Sequence, residues 1–216
     1  MAFVCENCGK GFDLPPSVRE RYPNWTPRLC LDCRDAEKRQ NTTGGQKKRP
    51  PSRTRNADLT RAEVLAEFTE GPDTGVFCDG ASEGNPGPGG WGAVWVENNQ
   101  IIDEACGHEP HTTNNRMELM ALIAGLKMLP TDAEIDVYTD SQLVVNIITK
   151  WAEGWEARGW KKKSQGPIAN LELVQEAYRL FRERPGVSLR WIQAHSGYRW
   201  NEYADALATA YRRTEA

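Results

Sequence analysis

Four acidic residues, Asp79, Glu118, Asp140 and Asp205, occur in local sequences that place each carboxylate beside apolar side chains. Burying a charged carboxylate costs free energy unless a positive charge compensates for it. Two divalent cations could provide that compensation. The chemistry that these residue types indicate is therefore cation binding by carboxylate oxygens.

Two of these acids follow short apolar runs. Asp79 ends the run Val76–Cys78, and Asp140 ends the run 135–139. Both runs are predicted strands, and α/β proteins build their sites beyond the carboxyl ends of strands. We therefore expect Asp79 and Asp140 at the C-terminal ends of two strands.

The other two acids belong to predicted helices. Apolar residues recur at helical spacing within 113–129, and Glu118 lies inside that apolar stripe or on its border. Asp205 is placed similarly in the last predicted helix. Acids from two strands and two helices could then converge. As alternatives, Asp140 could only cap a helix that begins at Ser141, and Asp205 could be a solvated helix residue.

Four cysteines near the N-terminus form two Cys-x2-Cys pairs with 21 residues between them: Cys5 with Cys8, and Cys30 with Cys33. This spacing is typical of two zinc knuckles that bind one tetrahedral zinc ion through four thiolates. Disulfides and unligated thiols are the alternatives. The segment resembles small zinc-ribbon modules, which bind nucleic acid or protein. Cys78 and Cys106 lie in apolar, strand-like runs and are predicted core residues.

Charge is divided unevenly along the chain. Residues 1–58 contain 12 Lys/Arg and 7 Asp/Glu, whereas residues 59–216 contain 15 and 23. The acidic part suits cation-binding carboxylates, and the basic part suits an anionic partner such as nucleic acid, although both could be solvated surface. A basic segment rich in Gly, Pro, Ser and Thr separates them. We predict a zinc-ribbon-like module at 1–36, a flexible linker at 37–58 and one larger domain at 59–216.

The composition favours a globular protein outside the membrane. The chain has 216 residues, 39% of them hydrophobic, and no stretch approaches the roughly 20 apolar residues of a membrane span. Its first residues do not form the charged and apolar regions of a secretory signal. We expect a cytoplasmic monomer in a reducing compartment.

The larger domain is predicted to be α/β, with the element order β-β-β-α-β-α-α-β-α and a mixed sheet that has helices on its faces. A capping-box sequence, Thr60 to Glu63, predicts a short helix before it that stops at Gly71-Pro72. The predicted elements are strands Val76–Asp79, Trp91–Glu97, Ile101–Cys106, 135–139 and Val187–Ile192, and helices at 113–129, from Ser141, at Asn170–Glu183 and from Asn201.

Five sequence blocks from about residue 74 to 212 resemble type 1 ribonuclease H. They are Asp79-Gly80-Ala81-Ser82, the Gly-rich stretch from Asn85 to Trp91, Thr112 to Leu119, Tyr138 to Gln142, and His195 through Asn201 to Asp205. The resemblance implies a five-stranded mixed sheet with flanking helices. It also implies hydrolysis of the RNA strand of an RNA/DNA hybrid, which leaves 5'-phosphate and 3'-hydroxyl ends.

The resemblance further implies two Mg2+ ions, or Mn2+, at Asp79, Glu118, Asp140 and Asp205, with Asp79 bridging both ions. Oxygen ligands without histidine or cysteine suit these metals. At the matching loop position His195 would assist the leaving group or product release. Ala194 stands where the family commonly has glycine.

The resemblance also implies how the hybrid is recognised. It places Asn85, Asn115, Glu118 and Gln142 near the RNA strand and Thr113 beside a DNA phosphate, although each Asn or Thr could serve an ordinary turn or cap. A segment that alternates aromatic and basic residues resembles the family's basic protrusion. Its predicted substrate-binding residues are Trp151, Trp155, Trp160, Lys161 and Lys162.

Two other functions stay open. One is a catalytically idle module that binds hybrids or a protein through the zinc ribbon, and the other is a nuclease of the same fold that acts on another nucleic acid. The four acids and His195 weigh against the first, and the Asn and Gln residues weigh against the second.

Overall fold

The computed structural model describes residues 3–14, 26–30, 33 and 59–213. The chain divides into two compact units, Met1–Arg55 and Asn56–Ala216. In the first unit, strands β1 (Phe3–Val4) and β2 (Gly11–Phe12) pair antiparallel and carry the turn with Cys5 and Cys8. The predicted linker, residues 37–58, lies outside the described residues.

The second unit alternates strands and helices. Its strands are β3 (Gly75–Ser82), β4 (Gly87–Glu97), β5 (Gln100–Thr112), β6 (Ile135–Thr139) and β7 (Val187–Trp191). Its α-helices are α1 (Arg61–Glu67), α2 (Asn114–Met128), α3 (Gln142–Asn146), α4 (Ala152–Glu156), α5 (Leu171–Arg182) and α6 (Arg199–Ala208). A π-helical turn, Ile147–Trp151, joins α3 to α4, and a 3-10 turn, Ala210–Arg212, follows α6.

The five strands form one mixed sheet in the order β5-β4-β3-β6-β7. The pairs β3-β4 and β4-β5 are antiparallel, and β3-β6 and β6-β7 are parallel. This confirms the predicted α/β fold with a mixed five-stranded sheet. The strands β4 and β5 are longer than predicted. Because β5 is an edge strand whose side chains are largely exposed, its outer part shows no apolar pattern in the sequence.

The sheet is buried on both faces because successive side chains of a strand point in opposite directions. Val76 and Cys78 of β3 belong to the core under α2 and α5, whereas Phe77 between them belongs to the core under α6 and α1. This explains why β3 reads as an uninterrupted apolar run. Cys78 is buried, as predicted, but the prediction for Cys106 was wrong: it is exposed on the edge strand β5.

The predicted capping box is present at the start of α1. The Thr60 hydroxyl accepts a hydrogen bond from the Glu63 amide at 3.3 Å, and the Glu63 carboxylate accepts one from the Thr60 amide at 2.7 Å. The helix ends at Glu67, earlier than predicted. Across the described parts of the chain, every helix is too short or too polar to cross a membrane.

Strand β3 and helix α2 approach each other most closely at Gly80. A Cβ atom at this position would collide with the backbone at the Met117-Glu118 peptide and would lie 2.8 Å from Glu118 Cα. This backbone belongs to α2, so it could move away from residue 80 only if the whole helix shifted relative to β3. The absence of a side chain at residue 80 is therefore what permits Asp79 and Glu118 to lie on adjoining elements at this separation.

The Gly80→Ala variant should lower the free energy of unfolding by about 1–3 kcal/mol, the usual cost of overpacking. Urea denaturation of the full chain measures this. The matched control is Gly154→Ala in α4, where a Cβ atom would meet only the guanidinium of Arg158, at 3.3 Å. That substitution should be neutral or stabilising. Equal stability of Gly80→Ala and the wild type would contradict the close approach.

Candidate active site

Three carboxylates converge at the centre of the sheet. Asp79, Glu118 and Asp140 each offer an oxygen, and these three atoms lie within 4.8 Å of one another. Asp140 directly follows β6, as predicted. Asp79 was predicted at the end of its strand, which is wrong, because β3 continues through antiparallel pairing with β4 as far as Ser82.

A second group adjoins the first. His195, Glu202 and Asp205 offer ligand atoms that also lie within 4.8 Å of one another. Burial is the main cause of the raised pKa values of Asp79 and Asp140, and the charge of Asp205 raises both further, so the two groups share one electrostatic environment. The structure therefore brings all four predicted acids and the predicted histidine to one side of the domain. Glu202 was not identified from the sequence.

Burial makes this cluster electrostatically costly. Asp79 and Glu118 are only 6% and 5% exposed. Desolvation raises the pKa of each carboxyl group well above its usual value. Neighbouring negative charges add to the effect: Glu118 raises the pKa of Asp79, and Asp140 raises the pKa of Glu118. The folded protein thus favours protonation of these acids unless a cation takes the place of the proton.

Glu118 carries the most specific evidence for a ligand. Its Oε1 accepts a hydrogen bond from Asn114 Nδ2 at 3.2 Å. Its Oε2 is buried and has no hydrogen-bond partner among the described residues. Buried polar atoms are normally paired, so an orphaned carboxylate oxygen within a group of acids fits a cation ligand.

Asp140 does not cap the helix that follows it. The Ser141 hydroxyl does so by accepting a hydrogen bond from the Val144 amide at 3.4 Å. Desolvation raises the pKa of Asp140, and the charge of His195 opposes that rise. The indole Nε1 of Trp191 donates to the Asp140 carbonyl at 3.0 Å, although Trp191 is 50% exposed. Sequence reasoning missed Trp191, because an aromatic residue at a strand end normally indicates core.

His195 lies on an exposed loop between β7 and α6. Its backbone adopts a φ of 50°, in the left-handed region. Two residues later, the Gly197 amide donates to Glu202 Oε1 at 3.1 Å. The helix that carries Asp205 therefore also fixes the end of the loop that carries His195.

The predicted substrate-binding residues surround the start of α2 and the segment after α3. Asn85 Oδ1 accepts a hydrogen bond from the Asn114 amide at 3.3 Å. Thr113 precedes α2, but its side chain makes no capping hydrogen bond. Gln142 is exposed at the first position of α3.

Four of the predicted residues line one cavity of about 150 Å³: Asn115, Trp151, Trp155 and Lys162. Trp160 instead packs edge-on against Tyr178, with ring centroids 6.2 Å apart, while Lys161 is exposed. Trp151 and Trp155 thus lie beside the start of α2, whereas Trp160 is partly buried and packs against the core.

The four N-terminal cysteines also converge. Their sulfur atoms lie within 4.8 Å of one another, and all four are free thiols. Cys8 Sγ and Cys30 Sγ are 3.8 Å apart. The arrangement is compatible with a small module that binds one zinc ion.

Comparison with known proteins agrees with this geometry. The RNase H family model matches residues 72–213. Ribonuclease H of Rhizobium etli is 50% identical over 133 residues, which are 62% of this chain and 87% of the relative. Ribonuclease HI of Caulobacter vibrioides is 46% identical over 137 residues, 63% of this chain and 91% of the relative.

Among solved structures, the chain is similar to LC9-RNase H1, described as a type 1 RNase H with the type 2 active-site motif. The two are 34% identical, with a TM-score of 0.53 over 68% of this chain and 76% of the other. The five-stranded sheet, the buried acids and these similarities agree. The chain belongs to the RNase H family, whose members are endoribonucleases.

Proposed function

We propose that this protein hydrolyses the RNA strand of RNA/DNA hybrids by a two-metal-ion mechanism, which leaves 5'-phosphate and 3'-hydroxyl ends. The observation that carries the proposal is the group Asp79, Glu118 and Asp140, which contains the buried Glu118 Oε2, an atom without a hydrogen-bond partner in the part of the chain that the structure describes. Membership of the RNase H family supports the reaction and the substrate class.

The residues fit hard divalent cations. Asp79, Glu118, Asp140 and Asp205 would hold Mg2+, or Mn2+, through oxygen atoms alone. When bound, two such ions supply a nucleophile at neutral pH and charge stabilisation for an in-line displacement. The protein's own contribution is to keep three carboxylates within 4.8 Å of one another despite their burial. Because the fold holds these carboxylates in place before the reaction, they need not reorganise during it.

His195 is proposed to move a proton at the leaving-group side of the site. Its imidazole belongs to the same group as the Asp205 carboxylate. It is exposed, so it can exchange protons with solvent. The Gly197 amide is hydrogen-bonded to Glu202, which limits the movement of the loop end. The imidazole is therefore kept close to the acids.

Substrate recognition is proposed to combine polar contacts with aromatic surface. Asn85, Thr113, Asn115 and Gln142 offer polar groups that can distinguish a 2'-hydroxyl from its absence. Trp151 and Trp155 meet at 5.9 Å between ring centroids, and Trp151 is 40% exposed. With Lys162 on the same cavity, this surface suits a nucleic-acid backbone.

The N-terminal unit is proposed to be a zinc module that aids nucleic-acid binding. Cys5, Cys8, Cys30 and Cys33 would hold one Zn2+ ion through their thiolates. The basic segment after it carries seven Lys/Arg and no acid from Lys38 to Arg55. Phosphate contacts by such a segment would add affinity without sequence specificity.

The Asp79→Asn variant should lose hybrid cleavage by roughly a thousandfold or more, because a neutral amide cannot hold a divalent cation as a carboxylate does. A strand-labelled RNA/DNA hybrid in Mg2+ measures this, run beside duplex RNA and duplex DNA. The matched control is Asp132→Asn, an exposed acid outside the group, which should keep full activity.

Cutting confined to the RNA strand of the hybrid supports the proposal. Wild-type protein that binds the hybrid without cutting it in Mg2+ or Mn2+ would instead indicate an idle binding module. Cutting of duplex RNA or duplex DNA at a comparable rate would indicate a nuclease with another substrate.

Removal of residues 1–58 should raise the Michaelis constant for the hybrid and flatten its dependence on salt, while kcat stays within about twofold. A plot of the logarithm of the binding constant against the logarithm of the salt concentration has a slope set by the number of phosphate contacts. Each lost contact reduces the size of that slope by about 0.9 at most. The full-length triple variant Lys47→Gln/Lys48→Gln/Arg49→Gln should show part of the same effect. An unchanged Michaelis constant in both proteins would contradict a role of this unit in binding nucleic acid.

A further inference from the structure

Residues 59–71 precede the part of the chain that matches the RNase H family, yet they pack on the same domain. We call this segment the N-terminal brace. Its helix α1 buries Val64, which is 1% exposed, in the core shared with α6. The guanidinium of Arg213, after α6, donates to the Leu59 carbonyl at 2.9 Å. The brace is therefore anchored to the domain over its first half.

The second half of the brace contacts the end of the loop that carries His195. The Arg199 amide donates to the Glu70 carbonyl at 2.8 Å, and Arg199 Nε donates to the Phe68 carbonyl at 2.6 Å. Glu70 and Tyr198 form a parallel β-bridge. Residues 198 and 199 are thus held by backbone atoms of the brace.

The brace also restricts the space around this loop. A Cβ atom at Gly197 would lie 3.9 Å from the Phe68 ring, so the ring lies directly beside the loop backbone. From the domain side, Glu202 accepts the hydrogen bond of the Gly197 amide at 3.1 Å. The loop end is fixed on two sides, two residues after His195, whose side chain is exposed.

We propose that the N-terminal brace is a positioning element for His195: Phe68 and Glu70 fix residues 197–199 so that the imidazole stays beside Asp205. The inference rests on the proposed function of His195 in hybrid cleavage. It also explains the division of the brace. The first half buries Val64 in the core, whereas the second half packs Phe68 against that core and also holds the loop through main-chain carbonyls.

The Phe68→Ala variant should lower kcat for the hybrid about 3- to 10-fold at saturating substrate, with the Michaelis constant unchanged. In a His195→Ala background the same substitution should have no further effect on kcat, because the group it positions is gone. The matched control is Phe181→Ala, a partly buried phenylalanine against the core on the opposite face of the sheet, which should leave kcat unchanged.

Hydrogen exchange of the Gly197 and Arg199 amides provides a second measurement that does not depend on activity. Both amides should exchange faster in Phe68→Ala than in the wild type or Phe181→Ala. If Phe68→Ala folds poorly, Arg199→Met tests the same contact, because it removes the donor to the Phe68 carbonyl while keeping the apolar stem.

Three results would overturn the inference. The first is an equal loss of kcat in both His195 backgrounds, and the second is unchanged amide exchange. The third is faster exchange with an unchanged kcat, which would leave the proposed function intact. A wild-type chain that does not cut hybrids would instead remove the proposed function and this inference together.

Discussion

The site depends on one close contact, between strand β3 and helix α2 at Gly80. Backbone meets backbone there, so the acid on the strand and the acid on the helix are brought together by elements that cannot shift independently. Packing of the helices against the sheet buries both acids, Asp79 and Glu118. The position of Asp140 follows, because β6 pairs in parallel with β3 and ends beside it. The geometry of the site is therefore a consequence of sheet order and helix packing.

This geometry opposes folding in the absence of cations. Desolvation and mutual repulsion raise the pKa values of Asp79 and Glu118 in the folded state. A raised pKa means that the native state binds protons more tightly than the unfolded chain, whose carboxyl groups titrate near pH 4. The favourable contribution is present below that pH and is lost as the pH rises through the raised values. Near neutral pH the fold carries an electrostatic cost that divalent cations can offset, so stability is linked to the proposed chemistry.

Much of this arrangement was predictable, and the failures have identifiable causes. The apolar runs around Val76 and Val137 indicated the central strands, and helical spacing around Glu118 indicated a buried acid. The extent of β5, and with it the exposure of Cys106, could not be predicted, because an edge strand needs no apolar pattern. The contacts of Trp191 and Glu202 with backbone atoms were also missed. Such contacts depend on which loops meet in space, and no periodicity in the sequence records them.

We propose that cations replace protons on these buried, mutually repelling carboxylates. The most direct measurement is calorimetric titration of the metal-free protein with Mg2+ in two buffers of different ionisation enthalpy, repeated over a range of pH. Mg2+ binding should release protons, because carboxylates must be deprotonated to bind it, and the number of protons released should fall as the pH rises above the raised pKa values. If Mg2+ binds and no protons are released at any pH, the acids are already ionised in the metal-free fold, and cations do not replace protons there.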